Sequence, residues 1–273
     1  MPDRVAERVE AGTVDGLLAA DEPAPVLAER LESASPFVFV CDHAGRRLPR
    51  ALGDLGLAPG EFERHIAYDI GILAVARQLA AAFDAPLVAQ IYSRLAIDCN
   101  RPTHVAQSIP ESSELTEIPG NHMLAPEQRE ARIAALFRPY HDRIEALLDA
   151  RSARGLPSIL IAMHSFTPVY MGVPRPWTVG LLYNRDARLA SPLLDLMNAD
   201  GAPYDGDKLP YAVDDLSDYT LPVHGERRGL LHVGIEIRQD LIGEPRGQAD
   251  WVFWLETMLR RVGANLKDGE VAR

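Results

Sequence analysis

The sequence predicts an α/β protein built on a largely parallel or mixed sheet. Short apolar runs such as Phe37-Val38-Phe39-Val40-Cys41 and Ile159-Leu160-Ile161-Ala162-Met163 read as strands buried on both faces. These runs alternate with longer segments of helical spacing. Each run also ends in polar groups: Asp42 and His43 after the first, His164 and Ser165 after the second, and Glu236 and Arg238 in a third that begins at His232. Ligands of open α/β sheets bind beyond the carboxyl ends of the strands, so the same pattern indicates where chemistry would sit.

The elements follow in order. Residues 1–35, rich in Ala, Glu, Asp and Pro, read as an arm with a short helical pattern at Val26–Leu31, and residues 36–273 as a single α/β domain. After the strand at 37–41, apolar residues at 66, 70, 73, 76, 79, 80 and 83 predict a helix, with Asp69 in its first turn. Leu87–Ile91 reads as a strand. Tyr92–Pro102 alternates, with Leu95, Ile97 and Cys99 on one face and Arg94, Asp98 and Asn100 on the other. Residues 103–124 form a long loop of the kind that often carries function. Pro126–Ala150 is an amphipathic helix expected to kink at Pro139. A strand at 158–163, a Pro-rich loop, a strand at 177–183, a helix at 187–197 and a loop at 199–229 follow. The chain closes with a strand at 232–237 and a helix at about 248–262.

Composition narrows the function classes. A chain of 273 residues, 47% apolar, can bury a sizeable core. Its net charge of −11 opposes nucleic acid or an anionic membrane surface as a partner, which leaves a small molecule. Cys41 and Cys99 lie in or beside strands and are expected to be reduced thiols of a cytoplasmic protein. The first residues, Met1-Pro2-Asp3-Arg4, lack an apolar export signal, and no run approaches the ~20 apolar residues that span a bilayer. Nothing in the sequence specifies an oligomeric state. There is no Gly-rich phosphate loop, Gly-x-Ser-x-Gly elbow or Cys-x-x-Cys pair, so nucleotide and serine-nucleophile chemistry have little support.

His43 and His164 suit a catalytic zinc, which takes three protein ligands and leaves one position open. The alternative is a hydrogen-bonded histidine at each strand end. Asp69 is a candidate third ligand, although an acid in a first helical turn also favours the helix dipole. Asp42 competes for that place, but adjacent side chains diverge, which suits it better to orienting the turn or a ligand. Glu236 is the candidate general base, against an ion pair with Arg94 or Arg238. Arg94, Asn100, Arg101 and Arg238 are candidates to hold a substrate carboxylate, and the arginines to stabilise an oxyanion; the alternative is a network with Asp98 and Asp240. His224 lies in a loop before the Glu236 strand and is a further candidate for substrate binding. Tyr170, Tyr183 and Tyr204 are candidate pocket walls.

The chain resembles the N-formylglutamate amidohydrolase family. The resemblance rests on Cys41-Asp42-His43-Ala44, Tyr68-Asp69-Ile70-Gly71, Ser93-Arg94, Asp98-Cys99-Asn100-Arg101-Pro102, Ile118-Pro119-Gly120-Asn121, Pro139-Tyr140-His141, Met163-His164-Ser165-Phe166 and Gly234 to Ile242. It implies a three-layer, phosphorylase/hydrolase-like sheet with helices on both faces, related to zinc carboxypeptidases and zinc N-acetylmuramoyl-amidases. It also favours Asp69 as the third ligand, one bound zinc, and hydrolysis of an N-acyl amino acid such as N-formyl-L-glutamate. The family's histidine-degrading enzymes more often carry Pro-His-Ser-Gly around the first histidine, where this chain has Cys41-Asp42-His43-Ala44-Gly45, so the exact substrate stays open. Other readings are a zinc peptidase or cell-wall amidase-like hydrolase, and a small-molecule binding protein that has lost catalysis.

Overall fold

A computed structural model of the chain describes residues 16–199 and 207–267. Six strands form the main sheet: β1 (Val26–Glu29), β2 (Phe37–Cys41), β3 (Leu87–Gln90), β4 (Ile159–Phe166), β5 (Val179–Leu182) and β6 (Leu231–Arg238). Their spatial order is β1-β3-β2-β4-β6-β5. The four central strands run parallel, and β1 and β5 add antiparallel edges. This is the mixed, largely parallel sheet that the apolar runs predict.

Helices cover both faces because the central strands are apolar on both. Phe37, Phe39, Ile161, Val233 and Ile235 face α1 (Ile72–Ala82), α4 (Ala190–Ala199) and α5 (Pro245–Lys267). Val38, Val40, Leu160 and Ala162 face α3 (Arg138–Ala153), which is preceded by α2 (Pro126–Arg132). The chain leaves β2 through α1 to reach β3 on one side, then crosses back through α3 to β4 on the other. The switch point therefore lies between β2 and β4, where strand ends diverge and open a crevice.

Several expectations change. Val26–Leu31 does not form a helix: Val26–Glu29 pairs with β3 as an edge strand, its local pattern overridden by the free sheet edge. The helix expected from Ile66 starts at Ile72, because Gly71 sits at φ +80° as its N-cap and Ile66–Ile70 folds as a loop. Asp69 thus precedes the helix. Tyr92–Pro102 is a series of turns, with Ala96 N donating to Ser93 O and Arg101 N to Asp98 O, and its alternation comes from burial within a loop. The kink at Pro139 is absorbed by a π-turn at Ile133–Phe137, which accommodates the amide hydrogen that proline lacks.

The long loop is held from inside. Arg132 is buried and donates to Ala96 O, Gly120 O and Asn121 Oδ1, while Asn121 donates to Leu95 O and Pro110 O. The Ile118-Pro119-Gly120-Asn121 motif therefore braces the turn that carries Arg94 and Asp98. Cys41 and Cys99 are buried free thiols. Among the described residues no helix is long and apolar enough to cross a membrane.

Gly71 fixes where Asp69 stands. A Cβ there would lie 2.2 Å from Ile242 O, on a backbone that side-chain-bearing residues rarely adopt. We expect Gly71→Ala to destabilise the protein by more than about 1 kcal/mol, read as a lowered urea midpoint.

Candidate active site

The parallel register of β4 and β6 sets the site. Glu236 pairs with His164 and Gly234 with Ala162. Side chains alternate along a strand, so His164 and Glu236 emerge side by side on the α3 face. Asp42 follows Val40 on that same face, and His43 turns in from the end of β2 across the switch point.

Asp69 is brought in by its loop. Its backbone N donates to His43 O at 2.9 Å, Arg94 N and Ser93 Oγ both donate to Ala67 O, and Ser165 Oγ donates to Ile70 O. The Asp69 carboxylate then accepts from Ser165 N at 3.1 Å. Asp69 Oδ2 lies 3.0 Å from His164 Nδ1 and 3.5 Å from His43 Nδ1. His43, Asp69 and His164 offer ligand atoms that all lie within 4.8 Å of one another, and all three residues are buried.

The outer nitrogens of both imidazoles meet carboxylates. His43 Nε2 is 2.7 Å from Asp98 Oδ1, and His164 Nε2 is 3.1 Å from Asp42 Oδ2. Asp42 Oδ1 accepts from Tyr140 Oη at 2.8 Å and Thr220 Oγ1 at 2.7 Å. Metal-binding histidines are held in this way, with the outer N–H on a carboxylate and the inner nitrogen presented to the ion. Atoms bound tetrahedrally to zinc stand about 3.3 Å apart, close to the spacings around Asp69. His43 Nδ1 is buried without a hydrogen bond. The residues therefore fit a divalent ion.

Electrostatics agree. Burial alone would raise Asp42, but hydrogen bonding and charge from His164 and His43 bring it down to about 2. Burial likewise opposes ionisation of Asp69, and His43 and His164 outweigh it and hold Asp69 low. Burial works to lower His164, but Asp42 and Asp69 hold it well above its usual value. A buried cluster this rich in acids draws in positive charge, as protons or as a cation.

Glu236 has a different environment. Its Oε2 is buried without a hydrogen bond, and neither Arg94 nor Arg238 pairs with it among the described residues. Burial and the Asp69 carboxylate push it up to about 7 against the pull of His164. Arg94 spans Asp69 Oδ1 at 3.2 Å and Asp98 Oδ2 at 2.9 Å.

A cavity of about 200 Å³ opens on these groups and is lined by His43, Asp69, Arg94, Asn100, Arg101, His164 and Glu236, among others. Asn100 Oδ1 accepts from Tyr219 N and Thr220 N, and Arg101 pairs with Asp218 at 2.9 Å. Two residues expected to bind substrate lie elsewhere. Arg238 is absent from the cavity lining; it pairs with Asp240 and donates to the carbonyls of Arg175, Pro176 and Trp177. His224 faces a separate groove beside α3, where its Nε2 is 3.0 Å from His141 Nδ1. Tyr170 lines the cavity and Tyr183 bonds Asp207 instead; Tyr204 lies outside the described residues. Asp98, read in the sequence only as a polar-face residue and salt-bridge partner, stands behind His43, and Tyr211, which carries no sequence signal, lines the cavity.

Comparison with known proteins identifies the family. The N-formylglutamate amidohydrolase profile matches residues 35–243. The chain belongs to this family. The crystal structure of gene product Atu2144 from Agrobacterium tumefaciens is 37% identical, with a TM-score of 0.88 over 92% of this chain and 100% of that one. N-formylglutamate amidohydrolase from Ralstonia eutropha JMP134 is 18% identical and shares the fold, with a TM-score of 0.61 over 90% of this chain and 99% of that one. A search of curated proteins finds no match.

The buried His141–His224 pair makes stability depend on pH. Burial pushes His141 down to about 4 and His224 down to about 3. The unfolded chain binds protons on these rings below about pH 6.5, and the folded protein does not. Stability is therefore intact above that pH and is lost as pH falls toward 4. Unfolding free energies from urea titrations between pH 6.5 and 4.5 should fall less steeply in His224→Gln, by up to about 1.4 kcal/mol per pH unit for one proton.

Proposed function

We propose that this chain is a zinc-dependent amidohydrolase that cleaves the amide bond of an N-acyl amino acid, with N-formyl-L-glutamate as the reference substrate. One observation carries the reading. Two imidazoles and Asp69 converge on one point, each imidazole is backed by a carboxylate, and the unpartnered Glu236 shares their cavity. The small cavity volume favours an acyl-amino acid over a polymeric substrate.

His43, Asp69 and His164 would hold the ion. When bound, it polarises the amide carbonyl and lowers the pKa of a water molecule toward 7. Asp98 and Asp42 keep the imidazoles in the tautomer that presents Nδ1. Glu236, buried beside these ligands with Oε2 unpaired, accepts the proton of the attacking water and returns it to the leaving nitrogen. Arg94, fixed by Asp69 and Asp98, supports the developing oxyanion. Asn100 and Arg101, on the cavity wall, take the substrate carboxylate. The two free thiols suit a reducing, cytoplasmic setting, and the family's substrate type suits a role in amino-acid breakdown.

Elemental analysis should find about one zinc per chain in the wild type and little in His164→Ala. Glu236→Gln should retain the zinc and lose about 10²–10⁴-fold in kcat on N-formyl-L-glutamate. Full activity in Glu236→Gln, or activity unaffected by chelation, would contradict the mechanism.

A further inference from the structure

The arginines around the cavity differ in what compensates them. Arg94, Arg101 and Arg238 each pair with a carboxylate of the protein. Arg175 has no such partner among the described residues. It is only 9% exposed, and its side chain makes one hydrogen bond, from Nη1 to Tyr211 Oη at 2.9 Å. A guanidinium carries five N–H donors, and a buried charge is costly without a counter-charge or a full set of acceptors. Arg151, buried and also without an acid, donates instead to Ser158 Oγ and to the carbonyls of Ser33, Ser35 and Pro157. For Arg175, aromatic rings meet part of the need. Its Cζ lies 4.6 Å from the ring centroid of Tyr170, 4.9 Å from that of Tyr211 and 5.9 Å from that of Phe166.

The backbone fixes this cation beside the cavity. Arg175 closes a small hairpin, Val169–Tyr170 paired with Val173–Pro174, by donating its N to Pro168 O at 2.8 Å. Its own carbonyl accepts from Arg238 Nη1 at 3.3 Å. The three rings that hold it, Phe166, Tyr170 and Tyr211, all line the cavity, so Arg175 stands one side chain behind the cavity wall. Tyr211 arrives on a different segment. That segment is tied to β5 by Lys208 N on Leu181 O at 3.0 Å. It is tied to the 93–102 turn through Asp218, which accepts from Asp214 N and pairs with Arg101.

The Tyr211 oxygen already accepts from Arg175, so its own O–H is the donor left for the cavity. Burial and the Glu236 carboxylate push the phenol above its usual value, which keeps that proton in place at neutral pH. A donor backed by an unpaired cation suits a carboxylate. The carboxylate that every N-acyl amino acid carries has Asn100 and Arg101 to receive it. A second carboxylate, on the amino-acid side chain, needs a partner of its own. We propose that Tyr211, polarised by Arg175 behind it, receives that side-chain carboxylate and makes the site select N-acyl derivatives of acidic amino acids. Tyr211 touches the substrate, and Arg175 is a positioning residue that acts through it. This rests on the amidohydrolase reading above and names the residues that discriminate between its substrates.

The test is kcat and KM of the zinc-loaded full chain on N-formyl-L-glutamate and on N-formyl-L-norvaline, which has a methyl group in place of the side-chain carboxylate. The wild type should favour the glutamate compound by about 100-fold or more in kcat/KM. Tyr211→Phe and Arg175→Met should each lower that ratio by about tenfold or more, through a raised KM for the glutamate compound. Arg175→Lys, which keeps the charge, should fall between the wild type and Arg175→Met. Tyr211→Phe removes a single hydroxyl, so it decides the matter even where Arg175→Met fails to fold. Equal kcat/KM on the two compounds in the wild type, or a ratio unchanged in Tyr211→Phe, would overturn this inference and leave the amidohydrolase reading standing. An equal loss of kcat on both compounds in Tyr211→Phe would place the hydroxyl in the chemical step and overturn its assignment to the side chain. No turnover of either compound by the wild type would overturn both readings.

Discussion

Asp69 is a buried carboxylate, and the architecture around the site can be read as the means of satisfying it. A charge removed from water must be paired and hydrogen-bonded. Here Ser165 N donates to it, both imidazoles face it, and Arg94 closes the other side. These partners come from three segments: Ser165 and His164 from the end of β4, His43 from the turn after β2 and Arg94 from the 93–102 turn. The carboxylate therefore ties together segments that the sheet alone would leave apart.

The same economy extends outward. Asp98 and Asp42 each back one imidazole, and Asp42 is itself held by Tyr140 of α3 and by Thr220. The helix that covers one face of the sheet thus also orients a ring at its centre. Glu236 stands apart from this network. It is buried among ionised groups without a hydrogen bond at Oε2, and it holds its proton more tightly than a solvated carboxyl does. A group that keeps or releases a proton near neutrality is suited to move one.

The global charge of −11 would repel an anionic substrate at long range. Arg94 and Arg101 provide the local exception at the cavity, although each already faces an acid of the protein. Membership of the N-formylglutamate amidohydrolase family fits these features.

The sequence by itself determined the sheet and the placing of its polar strand ends. Apolar runs of about five residues suit burial on both faces of a sheet's centre, and the polar groups that end them, His164 and Glu236, fall where ligands of open α/β sheets bind. It could not determine the edge strand at Val26–Glu29, whose pairing depends on a free sheet edge distant in sequence. It also could not separate Arg101 and Asn100, which line the cavity, from Arg238 and His224, which do not. Those residues share a charge or ring type, and only the packing of loops decides which way each points. The positions of Asp42 and Asp98 behind the imidazoles likewise depend on the fold, because a carboxylate that backs an imidazole is chemically the same as one that pairs with a surface arginine until the chain has folded around it.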